Sequence, residues 1–122
     1  MALIKRSKYR VRQDAVGRAA RTVDGILFAS QREARRYVVL KQLQRTGQIS
    51  MLEIQPKFDL RVWLGGLEVK GCGIVGKYVG DFRYLDKSGA VVIEDCKGVR
   101  TETYRLKKKI VEANYNIKIT EV

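Results

Sequence analysis

The chain has 122 residues, enough for one domain that hides roughly two-thirds of its unfolded surface. No apolar run approaches the ~20 residues of a membrane span, and the absence of histidine excludes histidine-based general bases and metal ligands. The 25 Lys and Arg against 13 Asp and Glu give a net charge of +12, which points to a polyanionic partner.

Residues 1–20 are basic with little periodicity and read as an N-terminal arm, partly extended around Tyr9 to Val11; residues 21–122 read as a single domain. The start turns basic after three residues and lacks the apolar core of a signal peptide. Cys72 and Cys96 have no metal-ligand spacing, so reduced thiols in a cytoplasmic protein are expected. Arg21 to Phe28 carries the turn pair Asp24-Gly25 between short apolar runs, a hairpin signal. Ser30-Gln-Arg-Glu33 is a capping box that opens a helix. Its apolar stripe is Ala34, Tyr37, Val38, Leu40 and Leu43, and Gly47 ends it. A strand is expected over Ile49 to Ile54. Gln55-Pro56 interrupts it, and a half-buried strand follows from Lys57 to Leu64. Gly65-Gly66 turns that strand into Leu67 to Lys70.

Gly71-Cys-Gly-Ile-Val-Gly76 has the letters of a dinucleotide fingerprint. That motif requires a helix immediately after it, so that a pyrophosphate sits on the helix N-terminus. Lys77-Tyr-Val-Gly-Asp-Phe instead continues as strand, and the glycines are expected to mark a loop or bulge. Two apolar runs, Tyr78 to Leu85 and Ala90 to Lys97, flank Asp86-Lys-Ser-Gly89 and read as the central hairpin. Thr101 or Thr103 caps a second helix, roughly 103–115, whose stripe is Leu106, Ile110 and Ala113. Ile117 to Val122 closes the chain as a short strand. The order predicts an α/β fold, with a mixed β-sheet containing an antiparallel meander and packed by two helices.

Asp95 and Lys97 are two apart on a strand and share a face; Val92, Glu94 and Cys96 take the other. Asp81 lies on the partner run. A carboxylate pair can hold a hard divalent cation, and magnesium keeps several waters and needs few protein ligands. Such an ion polarises a phosphodiester and acidifies bound water, while a neighbouring lysine neutralises charge developing on phosphate oxygens. Glu33 has a sufficient structural role as capping partner; its functional reading is a third carboxylate.

Helix with Glu, strand with Asp, strand with Asp-x-Lys and basic helix, in that order, resemble the PD-(D/E)xK nuclease superfamily. Within it, the chain is most similar to small phage and prophage endonucleases of the Holliday junction resolvase type. The matching stretches are Phe28 to Tyr37, Leu52 to Phe58, Tyr78 to Phe82, Glu94 to Gly98 and Thr101 to Lys107. The resemblance implies a restriction-endonuclease-like core. It implies a Mg2+-dependent endonuclease, with Mn2+ able to substitute, acting on branched or recombining phage DNA in the cytoplasm of a bacterial host. Asp81 and Asp95 would be metal ligands, joined by the Cys96 carbonyl and by Glu33, directly or through water. Lys97 would position the attacking water or stabilise the transition state. Gln55 and Tyr104 would line the site, and Arg32, Arg36, Lys77, Arg100, Lys107 and Lys108 would contact DNA. The residue before Asp81 is Gly80, where the superfamily motif has proline. Paired cuts would suit a homodimer. The alternative is a nucleic-acid-binding module that retains the fold without catalysis.

Overall fold

The computed structural model describes residues 12–63 and 72–122. The chain divides into two compact units, residues 1–47 and 48–122.

The first unit begins with a short helix, α1 (Ala15–Ala20), inside the stretch expected to be an arm. Asp14 caps it by accepting from the Gly17 amide at 2.8 Å. Strands β1 (Thr22–Val23) and β2 (Ile26–Leu27) form the expected hairpin. Positive φ at both Asp24 and Gly25 is what a primed two-residue turn requires. Helix α2 (Gln31–Arg45) starts on Ser30, whose Oγ accepts the Glu33 amide at 3.1 Å. Ala34, Tyr37 and Leu40 form its buried stripe, narrower than expected because Val38 faces water and Leu43 is only half-buried. Phe28 meets Tyr37 with ring centroids 5.0 Å apart, and the Tyr37 hydroxyl donates to Asp24 at 3.0 Å.

The second unit contains a four-stranded sheet in the order β3 (Ser50–Ile54), β6 (Phe82–Leu85), β7 (Val91–Asp95), β8 (Ile119–Glu121). Its first three strands are antiparallel, and β8 runs parallel to β7. A parallel neighbour demands a crossover, and helix α3 (Glu102–Tyr115) supplies it. Strands β4 (Lys57–Trp63) and β5 (Cys72–Val79) pair as a separate antiparallel ribbon. The mixed α/β class is therefore as expected. Gly73 and Gly76 lie within β5, whose register against β4 skips between Ile74 and Gly76, so a bulge rather than a loop occupies the glycine-rich stretch. The turn expected at Gly65-Gly66 falls outside the described residues.

The core of this unit gathers Phe58 and Leu60 from β4, Tyr78 from β5, Ile93 from β7, Val111 from α3 and Ile119 from β8. Thr101 caps α3 through the Tyr104 amide at 3.1 Å, and Asn116 in the left-handed region ends it. The expected stripe is rotated. Leu106 is 60% exposed and Ala113 is exposed, while Tyr104 and Val111 are buried. Lys107 and Lys108 are half-buried between those two residues, and Ile110 of the expected stripe packs against the core.

Candidate functional site

The central hairpin differs from its expected form at one point. The run from Tyr78 to Leu85 breaks after Val79, so Asp81 stands at the joint between β5 and β6 rather than within a strand. Backbone bonds fix that joint. The Gly80 amide donates to the Pro56 carbonyl at 2.9 Å, the Asp81 amide to the Glu94 carbonyl at 3.0 Å, and the Gln55 amide to the Asp81 carbonyl at 2.9 Å. A Cβ on Gly80 would lie 3.3 Å from both Ile93 Cγ2 and Pro56 Cγ, which leaves little room for a side chain there. Gln55 adopts a positive φ of 52°, uncommon for a residue with a side chain. Its main chain thus braces Asp81, and its side chain is exposed.

From this joint the Asp81 carboxylate reaches β7: its Oδ2 accepts the Cys96 amide at 2.6 Å. Asp95 is one residue away. Its side chain is 0% exposed, with the Lys97 ammonium 3.2 Å from Oδ1. That approach is off the hydrogen-bonding direction, and Oδ1 has no hydrogen bond among the described residues. Asp95 Oδ2 accepts from the Tyr78 hydroxyl. The Lys97 ammonium lies 4.7 Å from the centre of the Tyr104 ring, a cation–π seat. The Tyr104 hydroxyl is buried without a partner among the described residues.

Both phenols are held in their neutral form. Burial pushes Tyr78 far above the ordinary phenol value, and its hydrogen bond to Asp95 adds to this. Burial also raises Tyr104, followed by the negative charge of Asp95. Tyr78 therefore keeps its hydroxyl proton and can donate it to Asp95.

β7 ends at Asp95, so Lys97 lies just past the strand rather than on it, yet its ammonium pairs with the Asp95 carboxylate and lies over the Tyr104 ring. Glu33, Arg32 and Arg36 belong to α2 of the first unit. Lys77 is exposed on β5. Arg100 and Lys108 are both engaged by Glu121, with Lys108 at 2.7 Å. These cations depress the Glu121 carboxyl, the Lys108 bond first. Glu121 is the register partner of Asp95 on β8. No group of three or more His, Cys, Asp or Glu side chains able to hold a metal lies among the described residues. Cys96 is a buried thiol outside any disulfide. No helix among the described residues is long and apolar enough to cross a membrane.

The sequence reading missed Tyr78, Glu121 and the environment of Glu94. Glu94 is 1% exposed and accepts from the Tyr84 hydroxyl on the other face of β7. Tyr78 is 17 residues from Asp95 and Tyr84 is 10 from Glu94, so only strand register reveals the pairs.

No curated protein and no solved structure matches the chain. The model of the family described as "Protein of unknown function (DUF1064)" matches residues 6–122, nearly the whole sequence, and the protein belongs to that family.

Proposed function

We propose that the protein is a metal-dependent DNA endonuclease with a restriction-endonuclease-like core, acting on branched or recombining DNA. The observation that carries the reading is Asp95. It is a fully buried carboxylate with one oxygen held by Tyr78 and the other left without a hydrogen bond, beside an ammonium. Buried polar atoms in folded proteins are nearly all satisfied, and an exception calls for an explanation. A ligand-binding oxygen is one.

The donor set fits a hard divalent cation. Asp95 Oδ1, the Asp81 carboxylate and the Cys96 carbonyl are all oxygen donors, and Mg2+ retains waters in the positions a protein leaves open. When bound, such an ion supplies Lewis acidity toward a phosphodiester and toward water. The remaining work falls to the chain itself. The Lys97 ammonium, seated on the Tyr104 ring, sits where it can hold a water or neutralise charge growing on a phosphate oxygen. Gly98 follows Lys97 and lets the backbone come close to a nucleic-acid strand. The net charge of +12 supplies the attraction, with Arg32, Arg36, Lys77 and Lys107 as proposed phosphate contacts. Arg100 and Lys108 share Glu121 and so present less charge than their number suggests. A two-fold dimer would suit paired cuts.

Cleavage of a substrate panel tests this reading: supercoiled plasmid, linear duplex, splayed arms and a four-way junction, each with Mg2+ or Mn2+. Metal-dependent cutting is expected, lost in Asp81→Ala. A second reading, a nucleic-acid-binding module without catalysis, draws on the same net charge of +12. It expects salt-sensitive binding with no cutting of any substrate.

A further inference from the structure

We infer that Tyr78 is a positioning residue for the site: its hydroxyl occupies Asp95 Oδ2 and so commits Oδ1 as the one oxygen offered toward Lys97 and a divalent cation. The inference rests on the proposed role of Asp95 as an oxygen ligand.

A carboxylate turns readily about its last torsion, which has broad, two-fold wells. Left alone, Asp95 could present either oxygen, or both, to a cation. Tyr78 removes that freedom. Its ring belongs to the core cluster with Phe58, Leu60, Ile93 and Val111, and it lies 6.3 Å from the Phe58 ring. The hydroxyl is thus delivered by a side chain that is itself held in place. The donor reaches Oδ2 only, while the Lys97 ammonium stands at Oδ1. The two oxygens of one buried carboxylate are thereby given different surroundings.

Satisfying a buried acid would also explain a tyrosine hydroxyl at this position. Glu94 is the internal control for that explanation. It is the adjacent residue, equally buried, on the opposite face of β7, and accepts from Tyr84. If tyrosine donors merely solvate buried acids in this sheet, removing either hydroxyl should have the same kind of effect. If Tyr78 orients a ligand, only its loss should weaken cation binding. Partners of metal ligands typically contribute about 10–100-fold in metal affinity.

The experiment is Mn2+ binding, measured by electron paramagnetic resonance on the full chain, for the parent, Tyr78→Phe and Tyr84→Phe. About 10–100-fold weaker Mn2+ binding in Tyr78→Phe is expected, with Tyr84→Phe like the parent. Equal affinity in the parent and Tyr78→Phe, or equal loss in both variants, overturns the inference while the endonuclease reading stands. A parent that binds no Mn2+ overturns the reading of Asp95 and the inference with it. A second measurement needs no variant: Mg2+ titration of the parent, followed through the buried hydroxyl protons by nuclear magnetic resonance. The Tyr78 hydroxyl is expected to shift on saturation and the Tyr84 hydroxyl to stay. A Tyr78 hydroxyl that does not move while Mg2+ binds contradicts the inference even if Tyr78→Phe fails to fold.

Discussion

Asp95 and Glu94 are consecutive residues on β7, both out of water and both bonded by a tyrosine hydroxyl, yet they face different surroundings. Glu94 shares its face with Phe82 and Tyr84, buried aromatics from the neighbouring strand. Asp95 is paired with the Lys97 ammonium, and the amide of the next residue, Cys96, donates to the carboxylate of Asp81. Burial alone therefore does not mark a functional acid. Asp95 has beside it a second carboxylate, a seated ammonium and an oxygen without a hydrogen bond among the described residues, and Glu94 has the rings of Phe82 and Tyr84 on its face.

The difference can be broken most severely at Asp81. Asp81→Ala should reduce metal-dependent cleavage by at least about a hundredfold, since it removes a proposed ligand outright where even a ligand's partner contributes about 10–100-fold. A plasmid nicking assay reads this directly. Lys97→Met should follow, with about a 10²–10³-fold loss of turnover, the range for removing one preorganised electrostatic group. Salt-dependent DNA binding should persist, as measured by fluorescence anisotropy. Gly80→Ala sharpens the geometric part of the comparison. The added methyl meets Ile93 and Pro56, and overpacking of this kind costs about 1–3 kcal/mol. Because Asp81 is the next residue, activity should fall together with the denaturation midpoint.

Smaller effects are expected away from that face. Ser30→Ala should cost about 1 kcal/mol through loss of the α2 cap, whereas Glu33→Gln should leave melting nearly unchanged because the capping position accepts either residue. Reduced cleavage by Glu33→Gln at unchanged stability would assign Glu33 to the site. The smallest effect is the acid limb at Glu121. Its folded carboxyl is depressed by Lys108 and then Arg100, so its contribution to stability is present above the ordinary carboxylate range and is lost as pH falls through the folded value. Urea midpoints taken from about pH 6 to about pH 3 should decline less steeply in Glu121→Gln than in the parent.

Local rules served well where local physics decides. The Asp24-Gly25 turn, the Ser30 cap, the Asp86 to Gly89 turn and the pairing of Asp95 with Lys97 all depend on residues within a few positions of one another. Helix α1 escaped because six residues are too few for periodicity, although Asp14 before an alanine-rich run was a readable cap. The stripe of α3 was only partly legible: Ile110 packs against the core as expected, but Tyr104 and Val111 are buried while Leu106 faces water. The break at Gly80 and the tyrosines that hold Asp95 and Glu94 depend on how β5, β6 and β7 align. No spacing within the chain encodes that alignment. The acids were legible, but what distinguishes one from the other was not.

The most direct measurement is Mg2+-dependent nicking of supercoiled plasmid by Asp95→Asn and Glu94→Gln, side by side with the parent. Both substitutions keep shape and remove one negative charge, on opposite faces of the same strand. The parent and Glu94→Gln are expected to nick at similar rates once any difference in folded fraction is taken into account, while Asp95→Asn does not nick. Equal nicking by all three proteins would contradict the assignment of chemistry to the Asp95 face.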